Sequence, residues 1–395
     1  MRSGTAWVLS GLLCWCSSGP ARADQGAAPA SRQGDDARIV ELIEQLGAKS
    51  YTARRRASRE LLAVGAPAKA ALLAARDHRD PEVRYRVNEL LETVLELDFQ
   101  LRLKAFMADV DGRIEHHLAG WSRYRDLVGE NGPSRRLFVA MQQAERRLLE
   151  VVEQSPADAG EWLEARCEEL EAARQADEPL SQPPSLGSIA AVLFVASDPE
   201  LSVSSHAGTC VYSLGVQDEM FKAASAGEKA QTVKRLLGAW VRRGDSIDWA
   251  VANQSCVLAV HFRLPEGIDL ARALLRGDGT PQNVRQFAIQ TLARLGGKQL
   301  VPEISALLVD RAELAERSDD EHDQTIKTLI CDVALASLVY LTGQNLEDYG
   351  FEEVQSNPIM LFDARTLGFA DPEAREAALK KWRQWTETHA AEGKD

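Results

Sequence analysis

His206 and Cys210 stand four apart in a stretch rich in Ser and small residues. An imidazole beside a thiol can generate a thiolate nucleophile, provided that a third group orients the base. No protease signature surrounds Cys210, so the plainer reading of the stretch is a small-residue loop. Glu115-His116-His117 supplies two imidazoles, a common metal-ligand type. Neighbouring side chains on a helix diverge, and a polar helix end or loop is the expectation. Asp109-x-Asp111-Gly112 holds part of a calcium loop, but Met107 and Leu118 occupy the places that need an Asp and a bidentate Glu. Ser318-Asp319-Asp320-Glu321-His322-Asp323 is acidic enough to interest a hard cation, yet a charge run between helices is usually solvated. The chain carries neither a phosphate-cradling Gly-rich loop nor a Gly-x-Ser-x-Gly elbow. The sequence therefore assigns no catalytic, cofactor-binding or metal residue and predicts a protein that is not an enzyme.

These residues must be positioned by helices. The chain has 395 residues, 45% apolar and only 6% aromatic, which suits a helical protein packed with Leu, Ala and Val. Arg2, the apolar run Ala6–Cys16 and the small-x-small Ala21-Arg22-Ala23 read as a signal peptide, residues 1–23, cleaved after Ala23. Its apolar run is well short of the ~20 residues of a membrane span. Export to the periplasm or cell envelope is the expected address. Without residues 1–23 the chain keeps 44 basic against 59 acidic residues. That balance argues against nucleic acid and anionic membranes and for a protein partner of basic or mixed charge. Four cysteines remain, Cys167, Cys210, Cys256 and Cys331, widely spaced and without CxxC. Cys256 and Cys331 lie in apolar helical runs and read as buried hydrophobes. A disulfide at Cys210 is open, and its partner cannot be read from spacing.

Along the chain, 24–34 reads as a flexible tether. Ile39, Leu42, Ile43 and Leu46 then mark a one-faced helix. Ser50 or Thr52 caps the next, and Pro67 starts a third with Ala70, Ala71 and Leu73 facing inward. Pro81 starts a fourth. Arg55–Leu62 overlays Arg84–Leu91 at an offset of 29. The start Asp80-Pro81-Glu82-Val83-Arg84 returns as Asp371-Pro372-Glu373-Ala374-Arg375. Asp caps such a start, Pro fits the first helical position and Glu suits the positive end of the dipole. A repeated start marks a helical repeat array.

At these residues the chain resembles HEAT-repeat proteins. Thr280-Pro281-Gln282-Asn283-Val284-Arg285 looks like the first helix of a unit and Val301–Leu308 like its second. Ile330–Leu338 looks like another first helix, with Cys331 where the usual Arg would be, and Pro372–Trp385 like a capping helix. A closer resemblance is to exported HEAT-containing proteins of planctomycete bacteria. It rests on Gly120-Trp121-Ser122-Arg123-Tyr124, Leu193-Phe194-Val195-Ala196, and Leu341-Thr342-Gly343-Gln344 with Asp348-Tyr349-Gly350-Phe351, and it brings no activity. Some HEAT-fold proteins are iron hydroxylases that use His-Glu dipeptides; none of the seven histidines here precedes a Glu.

The expected architecture is all-α, an α-solenoid of armadillo-like helical hairpins with a less regular helical middle. Its parts are HEAT-like repeats over 35–97, a helical region over 98–177 and a linker at 178–185. A second helical region follows over 186–280 with a loop at 199–215. C-terminal repeats occupy 281–389 with an insertion at 342–368. The Trp382/Trp385 and Trp121/Tyr124 pairs read as core or as seals at the end of the stack. The leading expectation is a non-enzymatic scaffold for protein–protein interaction. The alternative is an enzyme or small-ligand binder with its site in 198–216 or 342–368.

Overall fold

The computed structural model describes residues 30–175, 183–319, 324–351 and 353–389. The signal peptide 1–23 and most of the tether and linker lie outside them. Seventeen α-helices and one two-stranded sheet make up the described residues, so the protein is mostly helical. No described helix is long and apolar enough to cross a membrane. The chain divides into two compact units, one ending at Lys104 and one beginning at Ala105.

In the first unit, α1 (Ala30–Gln45), α2 (Tyr51–Val64), α3 (Lys69–Ala74) and α4 (Pro81–Ala108), whose last four residues belong to the second, follow one another through short turns. Helix α1 starts at Ala30, so residues 30–34 of the expected tether are helical. Ile39, Leu42, Ile43 and Leu46 are buried together with Ala57, Leu61, Val83, Val87 and Val94. Helix α3 departs from expectation. Pro67 sits in a 3-10 turn, Ala66–Ala68, and this tighter winding rotates the face of the helix after it. Ala68 and Leu72 point inward, while Ala70 and Leu73 are exposed.

One contact occurs twice in this unit. Arg54 Nη1 donates to Ala48 O at 2.7 Å and Lys49 O at 3.1 Å. Arg84 Nη1 donates to His78 O at 2.7 Å and Arg79 O at 3.4 Å. Each arginine clasps the turn before its own helix, and the two clasps are 30 residues apart, not 29. At that offset Ala57 matches Val87, both fully buried. Ser50 takes the cap position of α2 without a side-chain hydrogen bond to the helix.

The second unit contains α5 (Trp121–Val128), α6 (Gly132–Gln154), α7 (Ala159–Gln175), α8 (Leu186–Ala196) and α9 (Ser205–Gly215). After these come α10 (Asp218–Ser225), α11 (Ala230–Val241), α12 (Trp249–Phe262), α13 (Glu266–Arg276) and α14 (Gln282–Gly296). Helix α8 is apolar on every side and buried from Gly187 to Ala196. It packs on α6 so closely that a Cβ on Gly187 would stand 2.4 Å from Ala140 O. Helix α6 has non-helical backbone at Glu145, whose buried carboxylate takes two 2.8 Å hydrogen bonds from Arg166 of α7.

The loop expected over 199–215 is instead largely helix α9. Ser204 Oγ caps it by accepting from Ala207 N at 3.1 Å. The small residues that suggested a loop are its packing face: Ala207, Gly208, Cys210, Val211 and Leu214 are buried.

The chain closes with α15 (Val301–Ser305), β1 (Glu313–Asp319), β2 (Gln324–Leu329), α16 (Ile330–Thr342) and α17 (Pro372–His389). The two strands form one small sheet beside the helices, and the fold class is all-α as expected. They pair antiparallel, with Arg317 opposite Ile326 and Asp319 opposite Gln324. Ser318 and Asp319 of the acidic run therefore lie in β1 rather than between helices, and residues 320–323 lie outside the described residues. The insertion 342–368 holds two short 3-10 turns and is tied to β2 by Thr328 Oγ1, which donates to Arg365 O at 3.2 Å, with a Lys327–Phe369 bridge just after it. Trp382 is buried and stacks on Trp385 at 5.2 Å, and Tyr124 is buried beside Trp121.

Candidate functional site

The strongest concentration of chemistry lies between the end of α4 and the start of α6. Helix α4 ends at Ala108, and Asp109 turns the chain back on itself. Its carboxylate accepts from Arg113 N at 3.0 Å and from Ile114 N at 2.9 Å. Gly112 makes the turn at φ +63°, a backbone region that favours glycine. Asp109 Oδ2 also meets His116 Nε2 at 3.0 Å, and both side chains are nearly buried. The two backbone N–H groups, more than the imidazole, hold the Asp109 carboxyl down to about 2.

His117 follows at φ 48°, one of two non-glycine residues with positive φ among the described residues. Such a conformation costs on the order of 1–3 kcal/mol and persists only where the surroundings impose it. Gly120, at φ +81°, then brings the chain into α5, and its N–H is fixed by Glu153 Oε1 at 2.8 Å.

Helix α6 supplies the cation. Asn131 caps it by accepting from Ser134 N at 2.9 Å, which sets Arg135 in its first turn. Arg135 is only 4% exposed. Its guanidinium lies 3.9 Å over the Phe106 ring and 5.4 Å from the Trp121 ring. Nη2 donates to Phe106 O, while Nε is buried without a partner. Burial lowers the Arg135 pKa, and the charges of Asp109 and Glu130 pull it back.

Together these groups enclose a cavity of about 560 Å³ lined by Phe106, His116, Trp121, Arg135, Glu115 and Glu153 among others. It offers an aromatic wall, one desolvated cation and an imidazole oriented by a carboxylate. Glu115, Glu130 and Glu153 also line it, so it suits an amphipathic small molecule whose acidic group reaches Arg135 and whose other polar groups face those carboxylates. Asp109, Asp111, His116 and His117 thus share one loop, but among the described residues no group of three or more His, Cys, Asp and Glu side chains converges as metal ligands do.

The other sequence candidates part company. His206 is exposed and lies 3.5 Å from Glu168, whereas the Cys210 thiol is buried and points to the Cys167 carbonyl. They form no nucleophile–base pair. The insertion contributes Pro358 and Ile359 to a cleft of about 470 Å³ shared with His261, Arg263 and Arg294. Its anchor is Gln290, whose Oε1 accepts from Leu361 N at 3.0 Å and Phe362 N at 2.9 Å.

Sequence reasoning missed Arg135 and Gln290. The Asn131-Gly132-Pro133 helix start could have placed Arg135 in the first turn, two residues before the apolar run that begins at Leu137. Gln290 gave no signal, because its partners are 71 and 72 residues away. The chain matches no protein-family model, no curated protein and no solved structure.

Proposed function

We propose that the protein is an exported, non-enzymatic scaffold of the HEAT-repeat kind that binds another protein of basic or mixed charge through its second unit. The carrying observation is where the charge lies. Residues 35–104 hold 13 basic and 12 acidic residues, so the surplus of the whole chain, 59 acidic against 46 basic, belongs to the residues after Lys104. A nearly neutral repeat unit joined to a strongly acidic one favours steering of a basic partner to the second. The paired clasps of Arg54 and Arg84 support the repeat reading of the first unit.

The test is crosslinking and affinity capture of the mature protein from the periplasmic fraction of its own cells at low and high salt. A stoichiometric partner held at low salt and released at high salt is the expected result. A partner whose binding ignores salt, or none at all, would sink the electrostatic scaffold.

A second reading is small-molecule binding in the Asp109–His116–Arg135 cavity. The left-handed backbone of His117 favours it, because strain of this kind clusters at ligand sites. A thermal-shift screen of acidic amphipathic compounds tests it. Any hit must lose its shift in Arg135→Ala and in His116→Ala, and keep it when Gln290 is replaced.

A further inference from the structure

We infer that Cys167 and Cys210 are a built cross-link site, joined by oxidation into a disulfide that ties α7 to α9. Both residues are buried, Cys167 fully and Cys210 with 5% exposure. The Cys210 Sγ lies 3.2 Å from Cys167 O, against the backbone of the residue it would join. A disulfide spans Cα atoms about 4.4–6.8 Å apart, and the approach of the Cys210 thiol to the Cys167 backbone is the contact that favours one. The chain is close-set around this contact. A Cβ on Gly160, at the start of α7, would stand 2.7 Å from Ser202 O, just before α9.

The other two described cysteines have different neighbours. Cys331 faces Asp332 at 3.6 Å, and Cys256 is fully buried within α12. The four cysteines therefore hold one candidate pair, which wide spacing in the sequence could not single out.

The chemistry is thiol–disulfide exchange with a small disulfide such as oxidised glutathione. One cysteine thiolate attacks the oxidant, giving a mixed disulfide and releasing one thiol. The second cysteine attacks the mixed disulfide, forms the Cys167–Cys210 bond and releases the second thiol. Two protons and two electrons leave the protein, and the oxidant takes them up as two thiols. Exchange needs a thiolate, and the neighbouring Cys210 thiol, together with burial, drives the Cys167 pKa upward. The bond is therefore made before α9 closes on α7, and once made it is shielded from reductants. Export supplies the oxidising compartment, and the cross-link rests on that reading only for where the oxidant comes from.

The experiment uses the full mature chain. It is unfolded, reduced and refolded with reduced and oxidised glutathione; a folded, reduced sample receives the same mixture. Both are alkylated, digested without reduction and mapped by mass spectrometry. The expected map of the refolded chain joins the Cys167 and Cys210 peptides, lighter by about 2 Da than the reduced pair, with Cys256 and Cys331 alkylated. The folded, reduced sample forms the link at least tenfold more slowly. The oxidised chain melts about 5 °C or more above the same chain kept reduced. Recovery of Cys167 and Cys210 as alkylated thiols after oxidative refolding overturns the inference, as does pairing of either with Cys256 or Cys331. Chain isolated from its own cells separates the two readings. A reduced pair there, beside a linked pair after refolding, counts against export and supports the cross-link site.

Discussion

Arg375 Nε lies 2.8 Å from Asp332 Oδ1 and 3.2 Å from Oδ2, and both side chains are buried. The same guanidinium donates Nη2 to Lys327 O at 2.8 Å, so one side chain joins α17 to α16 and β2. Asp332 in turn accepts from Leu329 N at 2.8 Å at the start of α16. Burial raises the Asp332 carboxyl, and the guanidinium and the Leu329 N–H pull it back.

Removing one partner leaves the other buried and uncompensated. Arg375→Met is expected to destabilise the second unit by about 3–5 kcal/mol. The double variant Asp332→Leu with Arg375→Met should cost less than Arg375→Met alone, because no charge is then stranded. Chemical denaturation of the wild type, of Asp332→Leu and Arg375→Met alone, and of the double variant measures this. A double variant as unstable as the sum of its parts would count against a desolvated pair.

The Asp109 turn is expected to respond to acid. Its folded pKa, about 2, lies below the ordinary carboxylate value of 3.8. A depressed carboxyl stabilises the fold at pH above its unfolded value and loses that contribution as pH falls through its folded one. Protection of the Arg113 and Ile114 amides, read as exchange relative to the intrinsic rate at each pH, should therefore be high above about pH 4 and fall towards pH 2. Asp109→Ala should remove the protection at every pH, and unchanged exchange in that variant would disprove the turn.

Gln290→Leu should free the insertion. It strands the buried N–H groups of Leu361 and Phe362, a cost of about 1–3 kcal/mol. Limited proteolysis between 355 and 363 is the readout, with faster cleavage expected at constant overall helicity.

Gly187→Ala tests the approach of α6 to α8. The new methyl would meet the backbone oxygen of Ala140, which no side-chain rotation can clear. A loss of about 1–3 kcal/mol or more is expected. Gly279→Ala, at an open turn with φ +85°, serves as a control for backbone strain without a clash. Equal losses at both sites would remove the packing argument.

Local order was legible in the sequence because its causes are local. The two starts at Asp80 and Asp371 form the same cap: Asp80 Oδ1 accepts from Glu82 N at 2.9 Å, and Asp371 Oδ1 accepts from Glu373 N at 2.8 Å. Apolar spacing likewise marked Ile39, Leu42, Ile43 and Leu46 as one buried face. Where small residues pack instead of turning, as in α9, the same local reading failed. The strands β1 and β2 escaped it as well, since they alternate weakly and carry many charges.

Beyond each cap, the side-chain partners were settled only by tertiary structure. The fifth residue of both starts is arginine. Arg84 reaches back to the turn before its own helix, whereas Arg375 reaches a carboxylate 43 residues away in the chain. The same divergence separates Cys210 from His206, four positions away, and joins it to Cys167, forty-three away. A cap is decided within four residues by backbone hydrogen bonds. The partner of a long side chain is decided by which helices come to face each other, and that depends on the burial of the whole apolar core.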